Sequence, residues 1–535
     1  MIPAVIRNQR SVWPIAAVAI IVHLVAGTVV AQRPAEDRRA PARLSSTQAL
    51  EHLGPGPLLP RPATRERVDR PKAATLEDAI DQCVEFNMLR LDAPGAAVAV
   101  VLDGELIYES GYGVKNRDGD DPVDPATIFR IGSVTKQMTA AAVMQQVELG
   151  RVDLDAPVTD YIPEFEVGGR WPADRIKVWH TLTHTTGFPD RINDWGSVYG
   201  SGALSIWARG QGEMKLHAPP GSFWNYSNPN FMLAGLVAER ASGIPYRDLL
   251  KSSLWEPAGM HSTTFDPAEV EASGNYSNGH HYDSATDSWT MVGPRDLDSW
   301  TAGPAGLAFS TVGDLVRWAL LLTDGGGPVL SSHSAAMMQH PHQWMHFTPD
   351  LFYGYGVMIE EYEGLDVRQH GGSTTGYGTY LLWVPERRFA VALLANITWS
   401  LNDAAYCIVD EVLEPVPVDP PDLSTDPSTW KRYLGDYVVT DSEGMTTEAT
   451  VYLEGNRLML TNVDPAAPGS SVTWRLYQAF LDTFVYDSNG DGSTETDFTF
   501  CSTRGKPGIL KWMRNRRTVG ERQNKQRPAG RVVSP

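Results

Sequence analysis

Leu76, Ile80, Cys83, Val84 and Met88 recur at helical spacing, so the ordered part of the chain is predicted to open with a helix near Ala74. Two β-type runs follow, Ala96 to Leu102 and Glu105 to Ser110, separated by Asp103-Gly104, a strong hairpin signal. Far downstream a second pair of runs, Thr379 to Val384 and Phe389 to Ala395, flanks Pro385-Glu386-Arg387-Arg388, and a helix is predicted from about Asn402 to Leu413. Helix and hairpin at one end, hairpin and helix at the other, combine into one antiparallel sheet covered by both terminal helices, with the intervening chain as a helical insert. Beyond the proline spacer that begins at Pro415 the texture changes to short strands: Tyr437 to Thr440, Ala449 to Leu453, Arg457 to Leu460, Val472 to Tyr477, Thr483 to Tyr486, Asp497 to Phe500 and Ile509 to Met513. That spacing suggests a small all-β barrel or sandwich.

The N-terminus carries Arg7 and Arg10, an apolar run from Val12 to Val30, and the small-x-small triplet Val29-Val30-Ala31, the pattern of a secretory signal peptide. Left uncleaved, the same run would be an N-terminal membrane anchor; cleaved, it leaves no membrane span. The reading along the chain is a signal peptide over 1–31, a Pro/Arg-rich linker over 32–73, a main α+β domain over 74–415, a linker over 416–429, a β-barrel domain over 430–520, and a disordered polar tail over 521–535.

Composition narrows the function. The 535 residues include 45 Lys and Arg against 64 Asp and Glu, a formal charge of −19. That sign opposes binding through phosphate neutralisation, so nucleic acid is excluded as a partner. The three cysteines, Cys83, Cys407 and Cys501, show neither CxxC nor Cys/His spacing, so no zinc knuckle or disulfide framework is encoded; at most one bridge is possible and buried free thiols are expected.

There is no G-x-S-x-G elbow and no H-E-x-x-H zinc helix. S-x-x-K occurs twice. Ser133-Val134-Thr135-Lys136 follows Phe129-Arg130-Ile131-Gly132 and starts an apolar helix running to Glu148, whereas Ser428-Thr429-Trp430-Lys431 lies at a linker edge with nothing catalytic after it. Three residues is one helical turn, which brings the Lys136 amine over the Ser133 hydroxyl, where a desolvated amine can take its proton. Y-x-N also occurs twice. Tyr226-Ser227-Asn228 precedes an apolar helix from Phe231 to Ala241 and offers a phenol and an amide on alternate positions of an extended segment; Tyr276-Ser277-Asn278 reads as a turn in a mobile surface loop. A third element, His370-Gly371-Gly372-Ser373, lies ahead of the strand at Thr379, where glycines let a strand present an N–H group to a developing oxyanion.

These elements in this order resemble the serine β-lactamase and penicillin-recognising family, most closely the class C branch with its D-Ala-D-Ala carboxypeptidases, D-aminopeptidases and esterases. Leu149-Gly150-Arg151-Val152-Asp153-Leu154-Asp155-Ala156-Pro157-Val158 and Leu182-Thr183-His184-Thr185-Thr186-Gly187-Phe188 extend the likeness. The resemblance implies a five-stranded antiparallel sheet with terminal helices, a helical subdomain, and a site at their junction. It implies Ser133 as acylated nucleophile, Lys136 as base, Tyr226 as proton relay, Asn228 as a substrate-binding or lysine-orienting group, and an oxyanion hole from the N–H groups of Ser133 and Ser373. His370, Gly371, Gly372 and Ser373 fall on the substrate-binding strand, with His370 where many relatives carry lysine. A histidine gives no permanent cation for a substrate carboxylate at neutral pH, which moves weight from β-lactams to esters and D-amino-acid amides or peptides. The C-terminal strands resemble a lipocalin-like barrel, implied to cover or shape the site mouth without taking part in the chemistry.

The expectation is a secreted or periplasmic serine hydrolase acting on a small-molecule ester, amide or peptide, with no metal or organic cofactor; a true β-lactamase or carboxypeptidase and a non-catalytic penicillin-binding-like module are the alternatives. Weaker signals carry blander readings. Asp487-Ser488-Asn489-Gly490-Asp491-Gly492 starts like a calcium loop but has Phe498 at its twelfth position, so a hairpin turn is expected. His340, His342 and His346 are expected in a rim loop, and Thr183-His184-Thr185 in a packing role.

Overall fold

The structure is a computed structural model that describes residues 73–190, 199–222, 224–283, 286–345, 351–415 and, in the C-terminal part, 427–440, 446–455, 457–463, 471–478, 483–486, 495–502, 510–514 and 518–522. The expected signal segment, most of the Pro/Arg linker, the calcium-like loop, His346 and the last residues of the tail lie outside the described residues.

The first described element is α1, Leu76–Leu91, closed at its start by a Thr75 and Asp78 capping box. Strands β1, Gly95–Leu102, and β2, Glu105–Gly113, form the hairpin, with Asp103 and Gly104 both at positive φ, 54° and 85°, as a two-residue turn of this hand requires. A 3₁₀ turn at Gly132–Val134 leads into α2, Thr135–Glu148; α3, Asn228–Ser242, and α4, Val312–Thr323, complete the main helices of the insert. The chain returns through β3, Gln343–Trp344, β4, Phe352–Tyr353, β5, Met358–Tyr362, β6, Leu365–Thr374, β7, Tyr377–Val384, and β8, Phe389–Ala395, to α5, Asn402–Leu413.

These strands make one antiparallel sheet in the order β2-β1-β8-β7-β6-β5-β4-β3. The five strands expected are its first five; three strands from residues 343–362 extend the edge, two of them only two residues long and the third, Met358–Tyr362, without apolar-polar alternation. The central strands are buried on both faces, which explains their continuous apolar runs. From β1, Ala97 and Ala99 join the core shared with α2 and α4, among Val134, Met138, Leu315 and Trp318. Ala96, Val98 and Val100 point the other way, into a second core with Ile80, Val84, Leu382, Leu393 and Ile408 of the sheet and the terminal helices. Each fully buried Val, Leu or Ile side chain contributes about 1.5–3 kcal/mol.

One expectation is overturned in that second core. Cys83 on α1 and Cys407 on α5 are joined by a disulfide across 324 residues of sequence. Neither spacing nor composition signals this pairing, because it depends on two terminal helices lying side by side on the same sheet face.

The C-terminal strands are β9, Gly435–Thr440, β10, Thr446–Glu454, β11, Arg457–Val463, β12, Ser471–Gln478, β13, Thr483–Tyr486, β14, Glu495–Ser502, β15, Leu510–Arg514, and β16, Thr518–Arg522. Neighbours pair antiparallel throughout, and β16 pairs with β9, so the ring closes. Tyr437, Val451, Leu458 and Leu460 form one buried cluster with Trp430 and Tyr433 of the preceding 3₁₀ segment. Seven of the eight strands match the predicted runs; β16 is too polar to have been read as one, and it extends into the stretch expected to be a disordered tail.

Candidate active site

Ser133 sits in the 3₁₀ turn ahead of α2, a helix buried nearly all round instead of on one stripe. The turn is built against strand β6. Gly132 has φ of 50°, and a Cβ there would stand 2.6 Å from the Ser373 backbone nitrogen; a Cβ on Gly372 would stand 2.1 Å from the Ile131 carbonyl oxygen and 3.2 Å from the Ser133 nitrogen. Glycine at both positions therefore lets the serine turn and the strand approach backbone to backbone, which sets the Ser133 and Ser373 amides beside one another. Thr379 on β7 donates its hydroxyl to the Arg130 carbonyl at 3.2 Å, clamping the same segment.

Lys136, one turn along α2, is fully buried, and its Nζ lies 2.9 Å from Ser133 Oγ and 2.8 Å from Asn228 Oδ1, with the Ala305 carbonyl as a third acceptor. Tyr226, also fully buried, donates to Ser133 Oγ at 2.8 Å, and its ring lies 4.9 Å from the lysine Nζ. Ser133 is 3% exposed. The two groups converging on its oxygen are thus an amine and a phenol, the proton carriers needed to activate a hydroxyl without histidine.

Asn228 is not on an extended segment as expected: it is the first residue of α3, with Ser227 extended before it as N-cap. Its backbone N–H donates to Asp190 Oδ1 at 2.9 Å and its Nδ2 to the same oxygen at 3.2 Å. Tyr226 is braced by His184, whose ring centroid lies 4.2 Å away and whose Nδ1 accepts from the Ser227 N–H at 3.1 Å. His184 is a non-glycine residue at positive φ, 56°, buried among Tyr226, Phe231 and Tyr353, which is the packing role expected for its motif.

His370 is fully buried on β6. Its Nδ1 lies 2.6 Å from the Gly371 carbonyl, which only accepts, so Nδ1 carries the hydrogen; Nε2 lies 3.0 Å from the Tyr353 hydroxyl. Both ring nitrogens are thus occupied within the protein. Ser373 donates its hydroxyl to the Thr398 carbonyl at 2.5 Å, leaving its backbone as the part turned to the serine turn.

The carbonyl on Lys136 is held in place by Arg130. Its guanidinium, buried over the Phe309 ring at 4.2 Å, donates to the Pro294 carbonyl at 2.5 Å and the Leu307 carbonyl at 3.0 Å, bracketing the turn Gly303–Gly306 that offers Ala305. Burial lowers its pKa to about 10.

The structure brings Ser133, Lys136, Tyr226, Asn228, His370, Gly371, Gly372 and Ser373 into one region at the junction of sheet and insert. The second Y-x-N copy lies elsewhere and is not a mobile loop: Ser277 is buried and hydrogen-bonded to Lys115, while Asn278 donates to Asn116 at 2.7 Å. His342, with its Nε2 2.8 Å from the Met337 carbonyl and its ring stacked on Tyr355, is packed as well. Sequence reading missed Asp190, His184 as support for Tyr226, and the Ala305 carbonyl, all contributed by residues far from the motifs they serve. Among the described residues no group of His, Cys, Asp or Glu is arranged to hold a metal ion, and no helix is long and apolar enough to cross a membrane.

An antiparallel sheet against a helical insert, with serine, lysine and tyrosine converging where they meet, is the arrangement of the β-lactamase-fold serine hydrolases. The chain belongs to the beta-lactamase family, whose model matches residues 76–409. It is 29% identical over 372 residues to the unguisins hydrolase ungD' of Aspergillus campestris, covering 67% of this chain and 69% of that one. It is 31% identical over 329 residues to penicillin-binding protein 4 of Amycolatopsis lactamdurans, covering 58% and 83%. The crystal structure of SurE superposes with a TM-score of 0.62 at 25% identity, covering 84% of this chain and 99% of that chain.

Proposed function

We propose that this protein is a secreted hydrolase that forms an acyl-enzyme on Ser133 and acts on esters or on D-amino-acid amides and peptides. The observation that carries the reading is the convergence of Lys136 Nζ, at 2.9 Å, and Tyr226 Oη, at 2.8 Å, on one buried hydroxyl oxygen. Acting as base requires the neutral amine. Its lone pair then faces Ser133, and its two N–H groups match the two remaining acceptors, Asn228 Oδ1 and the Ala305 carbonyl. Ser133 Oγ attacks the substrate carbonyl as its proton passes to Lys136, the oxyanion takes the Ser133 and Ser373 N–H groups, and collapse breaks the bond to the leaving group, which receives the proton through Tyr226. Water then attacks the ester and gives a proton to the lysine, which returns it to Ser133 Oγ as the acyl–oxygen bond breaks, releasing the acid and restoring free Ser133 and the neutral amine.

The burial of His370 supports the substrate class. A group closed in by Gly371 and Tyr353 gives no exposed cation for a free carboxylate at that strand position, which fits esters and amides better than penicillins. A relative named as an unguisins hydrolase supports hydrolysis as the reaction. The Cys83–Cys407 disulfide supports an oxidising compartment, in line with the signal-peptide pattern. We read the C-terminal ring as lipocalin-like on its eight antiparallel strands. Turnover of a p-nitrophenyl ester and of a D-amino-acid anilide by wild type and Ser133→Ala, beside labelling by a fluorescent penicillin, tests the reading. Ester turnover lost in Ser133→Ala is the expected result; turnover unchanged by that substitution, or none at all, overturns it.

A further inference from the structure

We propose that Asp190 is a positioning residue for the base: it fixes which end of the Asn228 amide faces Lys136. The proposal rests on the reading of Ser133 and Lys136 as the catalytic pair. A carboxylate without a proton only accepts hydrogen bonds, so the end of the Asn228 side chain 3.2 Å from Asp190 Oδ1 is its NH2. The other end, Oδ1, is thereby committed to Lys136 Nζ at 2.8 Å. Without the carboxylate the amide loses the contact that keeps its NH2 turned away from the lysine; a turned-over amide sets donor against donor, and the amine loses one of the contacts that aim it at Ser133.

The placement of Asp190 is over-determined, as an orienting group needs. It is buried, and the chain leading to it is stitched to the Tyr226 segment: Asn225 Nδ2 donates to the Phe188 carbonyl at 2.6 Å and Ser227 Oγ to the Pro189 carbonyl at 3.1 Å. Its carboxylate also takes the Asn228 backbone N–H at 2.9 Å, at the first residue of α3, where a negative charge suits the helix dipole. The stretch Thr186-Gly187-Phe188-Pro189-Asp190 thus ends in a group that reaches the base through a single side chain.

The test is a double-mutant cycle on ester hydrolysis. Asp190→Ala is expected to lower kcat by about 10–100-fold with little change in KM, and Asn228→Ala to do likewise, while the double variant stays within about 2-fold of Asn228→Ala alone, since a group acting through Asn228 has nothing left to orient. Asp190→Asn keeps the size and an acceptor oxygen. It is expected to retain more kcat than Asp190→Ala and to move the acid limb of the kcat/KM profile to lower pH, because the anion that favours a charged lysine is gone. Among the described residues the other titratable groups packed around the lysine and Tyr226, namely His184, His370 and Tyr353, are untouched by that substitution. A purely structural role would lower the melting temperature of Asp190→Ala and leave the acid limb of Asp190→Asn in place. Asp190→Ala with wild-type kcat, effects that multiply in the double variant, or an unmoved acid limb overturn the proposal. Turnover indifferent to Ser133→Ala instead overturns the functional reading beneath it.

Discussion

Gly372 on β6 approaches Ile131 so closely that a Cβ would lie 2.1 Å from the Ile131 carbonyl oxygen, inside any real contact. The strand and the serine turn are therefore held at backbone distance by the lack of one carbon. Gly372→Ala must push them apart, which costs about 1–3 kcal/mol of stability as overpacking and separates the two amides proposed to hold the oxyanion. Ester kcat/KM is expected to fall by about 100-fold or more. Gly313→Ala on α4, where a Cβ meets nothing within 4 Å, serves as the control with unchanged turnover and an equal or higher melting temperature.

The disulfide between Cys83 and Cys407 closes a loop spanning the whole hydrolase domain and staples α1 to α5. Reduction, or Cys83→Ser with Cys407→Ser, is expected to lower unfolding stability by roughly 2–5 kcal/mol through the gain in freedom of the unfolded chain. The site lies on the other face of the sheet, so turnover at 25 °C is expected to persist. Chemical denaturation with and without reductant, beside an activity assay, checks both halves.

Acid sensitivity is expected from His180, which lies against Trp179 and accepts the Lys177 N–H on its Nδ1. Burial, helped by the Lys177 charge, lowers its pKa from 6.5 to about 4. The folded state favours the neutral ring while the unfolded state takes a proton near 6.5. The stabilisation is present in full above pH 6.5 and is lost as pH falls towards 4, by at most about 3 kcal/mol. His180→Asn, which retains an acceptor near the Nδ1 position, is expected to flatten the decline of melting temperature between pH 6.5 and 4; an identical slope in both proteins would remove His180 as its cause.

Much of this frame is legible in the residues because its signals are local. Asp103-Gly104 names its own hairpin, and Ser133 and Lys136 meet because one helical turn separates them. Tyr226 and Asn228 are readable through the apolar helix that pins them. What stayed hidden depends on chain segments far apart in sequence. Ala305 reaches Lys136 through a carbonyl, which has no sequence signature. Asp190 closes a motif that reads as packing, and the two cysteines meet only after the sheet has brought both terminal helices to one face. His370 occupied the expected strand, but its burial behind Tyr353 comes from β4, a strand of two residues that no periodicity reveals.

An acyl group carried on Ser133 is visible to mass spectrometry of the intact chain, acid-quenched within one turnover of a p-nitrophenyl ester. A burst of p-nitrophenolate and a mass gain of one acyl group located on the peptide containing Ser133 are expected, and neither in Ser133→Ala. Ester turnover with no adduct, or an adduct that persists in Ser133→Ala, would contradict an acyl-enzyme on Ser133.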